Sequence, residues 1–450
     1  MPLAQVDRPP ADPVGRSMEE AVSEVVGLTV DLIRFDTTNT GDLGSGPCER
    51  DAAEYVAEKL EEVGYDVTYL EEAGPRRGNV IARLSGAGPH RGALLVHSHL
   101  DVVPADAAEW SVHPLSGEVV DGFVWGRGAV DMKHMVAMTL AVARALKRHG
   151  VVPSRDIVFA FLADEECGGR YGARWLVDHR PDLFDGVTEA IGEVGGFCVP
   201  LPGGRRAYLV QTAEKDAAQL SLHARGRPGH GSLLHGETAV SRLVSAVGRL
   251  QQHQFPKIVT AAAADFLDGV RRLTGEDYPA DDLAAAQERF GSLARLLGAS
   301  LRDTLNVTWL DAGYASNVVP GSAHAIADCR ILPGRRADFE RELAGLLPDL
   351  EWELRVVDGA QTTFDGELPG RLLAALRAHD PQAEVLPYLL AASTDAKSFA
   401  RLGIRNFGFT PLRLPPDLDF AALFHGVDER VPIEALRFGT RVLHSLLRDC

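Results

Sequence analysis

Apolar positions recur along most of this chain with one of two periods, and the places where the period changes divide it into elements. Val22, Val25, Val26, Leu28, Leu32 and Ile33 share one face of a helix predicted over Met18 to Arg34. A polar loop, Thr37 to Gly46, precedes a second helix from Asp51 to Gly64, where the glycine stops it. Short apolar runs at Tyr65 to Leu70, Asn79 to Leu84 and Ala93 to Val96 predict strands. Ile157 to Ala163 and Ala190 to Gly196 repeat that pattern, and Val136 to Leu146 is a helical run. Strands and helices alternating through glycine turns predict an α/β domain with a mainly parallel sheet.

After about Val210 the order changes. Gln219 to Ala224 reads as a strand, Gly226 to Ser232 as a glycine-rich loop and Thr238 to His253 as a long helix. Strands Leu305 to Leu310 and Ala323 to Leu332, a helix Arg336 to Leu347 and a strand Glu351 to Val357 follow. This β-α-β-β-α-β order is that of a ferredoxin-like α+β unit. The expected organisation is therefore a disordered leader over 1–16, a first domain in two parts (17–212 and 359–450), and an inserted domain over 213–358. Within the inserted domain, 265–303 is a helical insertion to which the pattern assigns no role.

Composition narrows the class. With 450 residues, two domains are the default, and 45% hydrophobic with 24% charged residues is globular. The formal net charge of −17 argues against nucleic acid or an anionic membrane as partner. It also means that an anionic substrate needs a local cation to receive it. No apolar run approaches about 18 residues, so no membrane span is expected. Five widely spread cysteines, without metal-type pair spacing, read as free thiols in a cytoplasmic protein.

Chemistry concentrates where apolar runs end. Leu94 to Val96 runs into His97-Ser98-His99-Leu100-Asp101, at the carboxyl end of a buried strand, where open α/β sheets build sites. Asp131 sits in a glycine-punctuated turn, Glu165-Glu166 follow the strand Ile157 to Ala163, Glu193 ends a third run, and His425 stands in a late loop. His99, Asp131, Glu166, Glu193 and His425 form an oxygen and nitrogen donor set without thiolate. That mix suits zinc and equally cobalt or manganese. One catalytic ion needs three of them, so five favour a pair of ions sharing a bridging carboxylate. Glu165, outside the set, could then take a proton from the attacking water, which points to hydrolysis of an amide.

In its motifs the chain resembles the M20 metallohydrolases, the group of aminoacylase, carboxypeptidase G2, acetylornithine deacetylase and succinyl-diaminopimelate desuccinylase. The resemblance rests on His-Leu-Asp-Val-Val-Pro, Gly-Arg-Gly-Ala-Val-Asp-Met-Lys, Asp-Glu-Glu-Cys-Gly-Gly, Pro-Gly-His-Gly-Ser and the late His425. It implies that Asp131 bridges two zinc ions, Glu166 and His425 complete one site, and His99 and Glu193 the other. It further implies that Asp101 orients His99, that Glu165 is the general base, and that His230 serves the partner subunit's active site in a homodimer. Asn317 and Arg330 match positions that hold a small-molecule carboxylate substrate. The adjacent acids usual before Gly-Gly are reduced here to Glu193, with Val194 beside it. The long insertion and Ala-Gly-Tyr-Ala-Ser-Asn-Val-Val-Pro at 312–320 lean toward the carboxypeptidase S and N-acyl-amino-acid hydrolase subgroup.

Three other readings compete with this one. A dipeptidase or carboxypeptidase would use the same metal centre and differ in its pocket. A silent binding protein would have lost a ligand or Glu165, and neither is lost. A glycosidase using Glu165 and Glu166 needs carboxyls on opposite faces of a sugar bond, which adjacent residues on one turn seldom provide. His97 reads as structural, and Arg330 could instead pair with Asp328, two residues away on the same strand face.

Overall fold

The computed structural model describes residues 12–42, 46–88 and 91–450, so most of the expected leader lies outside the described residues. The chain forms two compact units. One takes the chain up to Val210, Phe364–Leu386 and Ser398–Cys450; the other takes Gln211–Thr363 and Pro387–Lys397.

The first unit is built on a mixed, mainly parallel sheet. Its described strands run in the order Val67–Leu70, Asn79–Leu84, Ile157–Leu162, Ala93–His99, Val187–Gly192, Arg405–Gly408, Arg205–Glu214 and Val385–Leu390. Ala93–His99 is parallel to both its neighbours, and Val187–Gly192 to Arg405–Gly408, while the two edge pairings at Asn79–Leu84 are antiparallel. Every residue of Ala93–His99 and of Ile157–Leu162 is buried. Burial on both faces is the reason these strands read as unbroken apolar runs. On one face Leu95, Val158 and Leu162 pack with Leu176, Val177, Phe184 and Phe399. Elsewhere in this unit the helices Pro13–Arg34, Lys133–Arg148 and Ile433–Asp449 pack on one another.

The first helix starts earlier than the sequence pattern suggested. It spans Pro13–Arg34, because Asp12 accepts the N–H of Gly15 at 3.0 Å and Pro13 occupies the first turn. An aspartate before a proline is a helix-start signal that the polar look of 1–16 obscured.

In the second unit the strands Thr304–Ala312, Ser322–Ile331, Asp216–Arg225 and Glu351–Val357 lie in that spatial order, all antiparallel. Leu220, Leu222, Ala325 and Ala327 face one side and pack with Leu243, Leu250, Phe339 and Leu343 from the helices Ala239–Gln252 and Arg336–Leu346. This is the ferredoxin-like order. The expected insertion is helical, with Leu283–Phe290 and Ser292–Gly298 inside it and Ala261–Thr274 starting four residues before it. One difference from the expected boundaries is that Pro387–Lys397 cluster with this unit. Leu389 packs on Ala213, Ala262 and Leu332, and Thr394 donates to the buried Glu214 at 2.8 Å.

Candidate metal centre

His99 ends its strand fully buried, and its Nε2 lies 3.1 Å from Asp131 Oδ1 and 3.2 Å from Glu193 Oε2. His425 Nε2 lies 3.3 Å from Asp131 Oδ2 and 3.0 Å from Glu166 Oε2. Two three-donor groups result, His99-Asp131-Glu193 and Asp131-Glu166-His425, each with its ligand atoms within 4.8 Å of one another. All five residues singled out from the sequence meet here, and Asp131 turns one oxygen to each group.

Local structure explains each position. The strand Ile157–Leu162 leads through Ala163 to Asp164, whose φ of +67° starts the tight turn Glu165–Cys167. Asp101 holds that turn: its Oδ1 and Oδ2 accept the N–H groups of Glu165 and Glu166, both at 3.1 Å. Toward His99 it acts through its main chain, since His99 Nδ1 is 3.0 Å from the Asp101 carbonyl oxygen and 3.5 Å from Oδ1. Asp101 thus fixes the ring and the acid-bearing turn together. Gly128, at φ +91°, bends the segment before Asp131, and a Cβ there would sit 2.9 Å from Lys133 and Val102 side-chain atoms. Gly192 leaves room for His97, whose ring would be 2.3 Å from any added Cβ and which packs 5.0 Å from Phe399. His97 is outside both donor groups.

The electrostatics are those of crowded acids. Burial raises Glu193, and the charge of Glu165 raises it further, to well above the usual carboxylate range. Burial also lifts Glu166 to about 7 against the pull of His425. Burial would depress His99, but Glu193, Asp101 and Asp131 together hold it well above its ordinary value. Hydrogen bonds to Asp131 and Glu166 raise His425 to about 10. Glu165 itself is half-buried.

Sequence reasoning missed the residues that support this cluster. Glu429, fully buried, accepts from the N–H groups of Gly128, Val130 and Asp131 and pairs with Arg127 at 2.7 Å. It lies within the His425 loop, but nothing in the linear pattern separated it from Asp428, which bonds Ser111 instead. Asn39, in the polar loop Thr37 to Gly46, donates to Asp101 at 2.8 Å and Asp164 at 2.9 Å, and accepts from Arg77. Arg77 is paired with Glu49 at 2.6 Å, both buried.

The other residues singled out from the sequence, His230, Asn317 and Arg330, belong to the second unit. His230 pairs with Val318 in a two-stranded ribbon, and the Asn317 carbonyl accepts the Gly231 N–H at 2.8 Å, so these two loops are hydrogen-bonded to each other. His230 Nδ1 accepts from the Ser232 main chain at 3.2 Å. Arg330, on the strand Ser322–Ile331, is held by Asp328 through two parallel bonds of 2.8 and 3.0 Å.

A family model described as peptidase family M20/M25/M40 matches residues 95–449. The chain belongs to this family. Among M20 relatives it is 29% identical over 396 residues to the N-fatty-acyl-amino acid synthase/hydrolase PM20D1 of Xenopus tropicalis, covering 82% of this chain and 74% of that protein. It is 26% identical over 406 residues to aminoacylase-1 of Sus scrofa, covering 88% and 89%. A solved M20 family metallo-carboxypeptidase, Sso-CP2 from Sulfolobus solfataricus, shares the fold with a TM-score of 0.71 at 18% identity, over 94% of this chain and 98% of that one. The M20 chain is accordingly a hydrolase of amide bonds that uses divalent metal. Among its described residues no helix is long and apolar enough to cross a membrane.

Proposed function

We propose that the protein hydrolyses the amide bond of N-acyl amino acids at a dinuclear metal centre, with zinc as the first candidate and cobalt or manganese as substitutes. The observation that carries this reading is the division of Asp131, whose Oδ1 addresses His99 and whose Oδ2 addresses His425. On it, His99 and Glu193 would hold one ion, Glu166 and His425 the other, and Asp131 would serve both. The donors fit such a pair: they are oxygen and nitrogen only, and Glu166 Oε1 is buried without a hydrogen-bond partner among the described residues. When bound, two such ions polarise the scissile carbonyl and lower the pKa of water toward about 7.

Glu165 is the general base in this scheme. It takes the proton of the attacking water and returns it to the leaving nitrogen. Asp101 keeps Glu165 and Glu166 in register through their main-chain N–H groups. His230 stabilises the developing oxyanion, while Asn317 and Arg330 hold the substrate, Arg330 by its free carboxylate. A homodimer through the second unit is supported by the edge strand Thr304–Ala312, whose Trp309 and Leu310 are exposed, and by exposed Val244 on the neighbouring helix. Four buried, unpaired thiols among the five support a reducing compartment, the cytoplasm.

The relatives described as an N-fatty-acyl-amino acid synthase/hydrolase and an aminoacylase favour N-acyl amino acids over dipeptides. The test is a panel of N-acyl amino acids and dipeptides assayed with zinc, cobalt or manganese, before and after chelation. Turnover of N-acyl amino acids that is lost on chelation and restored by metal is expected. Activity that survives chelation, or that is confined to dipeptides, would overturn it.

A further inference from the structure

We propose that His223 and His324 form a binding site for a divalent ion of tetragonal preference, copper(II) or nickel(II), on the open face of the second unit's sheet. The two residues are direct partners on the adjacent strands Asp216–Arg225 and Ser322–Ile331. Their neighbours Leu222, Ala224, Ala323 and Ala325 lie in the core beneath the helices, so the histidines occupy the opposite face, where both are half-buried. Nδ1 of His223 is 2.7 Å from Nδ1 of His324, with the rings 4.8 Å apart and inclined at 79°.

That contact holds one proton between two nitrogens. When the donating ring takes its other tautomer, with the proton on Nε2, both Nδ1 atoms carry a free lone pair at this separation. Two cis imidazoles bound to a tetragonal ion at about 2.0 Å and a right angle stand about 2.8 Å apart, close to the spacing present. Tetrahedral zinc, with bonds of about 2.05 Å, would spread them to about 3.3 Å. The sheet therefore holds the two Nδ1 atoms close to the separation a tetragonal ion requires and short of the one tetrahedral zinc requires.

Charge along the same row favours a cation. Asp311 is the partner of His324 on one side, and Glu351 the partner of His223 on the other, both exposed. The row across four strands thus reads acid, histidine, histidine, acid. Arg225, 3.4 Å from Glu351, offsets part of that charge. Each imidazole is fixed by a strand paired on both sides, so binding costs little ordering of the backbone.

The experiment titrates copper(II), supplied as its glycine complex, into the metal-loaded full-length protein, with electron paramagnetic resonance and total metal analysis as readouts. One copper per chain above the catalytic metal, with an axial spectrum split by two nitrogens, is expected. His223→Ala and His324→Ala should each lose that nitrogen pattern and weaken copper binding at least tenfold, with catalytic metal content and turnover unchanged. Copper taken up only by displacing the catalytic ions, equal uptake by the His223→Ala/His324→Ala double variant, or zinc bound at this pair as tightly as copper would each overturn the assignment. Because the wild-type titration alone can fail, the outcome does not depend on how the variants fold.

Discussion

Glu429 Oε1 accepts the main-chain N–H of Asp131 at 2.9 Å, joining residues 298 positions apart in the chain. Glu429 stands four residues after His425, so the same side chain ties the loop of one donor to the turn that carries another. It also receives Val130 N–H at 2.6 Å and Arg127 at 2.7 Å, in full burial. Burial raises its pKa, and Arg127 with the main-chain donors pulls it back.

Glu429→Ala should therefore harm the protein in two ways. It leaves Arg127 and three N–H groups buried without their acceptor, at a cost of about 3–5 kcal/mol. It also frees Asp131 and His425 to drift apart. The expected result is a lower melting temperature in the metal-free protein together with weaker metal retention on dialysis. Unchanged metal content in a folded variant would show that the tie is dispensable to the centre.

Glu165→Gln tests the base. Glu165 lies outside both donor groups while its charge reaches Glu166 and Glu193. The variant should keep its full metal content and lose about 10²- to 10⁴-fold in kcat. Loss of a metal equivalent would instead make Glu165 a ligand, and full turnover would remove it from the chemistry.

Arg330→Lys distinguishes recognition from architecture. A lysine cannot form the two parallel bonds of a guanidinium with a carboxylate. If Arg330 reads the substrate carboxylate, kcat/KM for an N-acyl amino acid should fall about 10- to 100-fold, and that for its amide analogue very little. The pairing with Asp328 supplies the opposite expectation, an equal change for both substrates. Measuring the two substrates side by side decides between them.

His444 predicts a pH dependence remote from the centre. It is buried on the C-terminal helix with Nε2 3.0 Å from Ser17 Oγ, and burial lowers its pKa from 6.5 to about 4. The unfolded chain protonates this ring first as pH falls. Its contribution is thus fully present above about pH 6.5 and is lost progressively as pH falls toward about 4, by on the order of 2–3 kcal/mol. Denaturant midpoints of wild type and His444→Gln, followed from pH 7 to 4.5, should show a shallower decline in the variant. Parallel curves would mean that His444 is not buried neutral.

Residue chemistry and element order were legible in the linear pattern. The five residues that meet at the candidate centre could be picked out because each follows an apolar run or sits among glycines, and strands buried on both faces leave that signature locally. Leu220 and Leu222 alternate with Gln219, Ser221 and His223, the pattern that a strand buried on one face leaves. Partner choice was not legible. Asp428 and Glu429 are adjacent acids, yet one caps Ser111 at the surface and the other holds Asp131 in the core. Asn39 looked like loop polarity and proved to join Asp101 to Asp164. Pro387–Lys397 read as part of the first domain and cluster with the second, through Leu389 and Glu214. Periodicity reports whether a residue's own surroundings are apolar, within a turn or a strand. Which distant group satisfies a buried carboxylate depends on how the chain closes over tens to hundreds of residues, and only the tertiary structure brings those groups together.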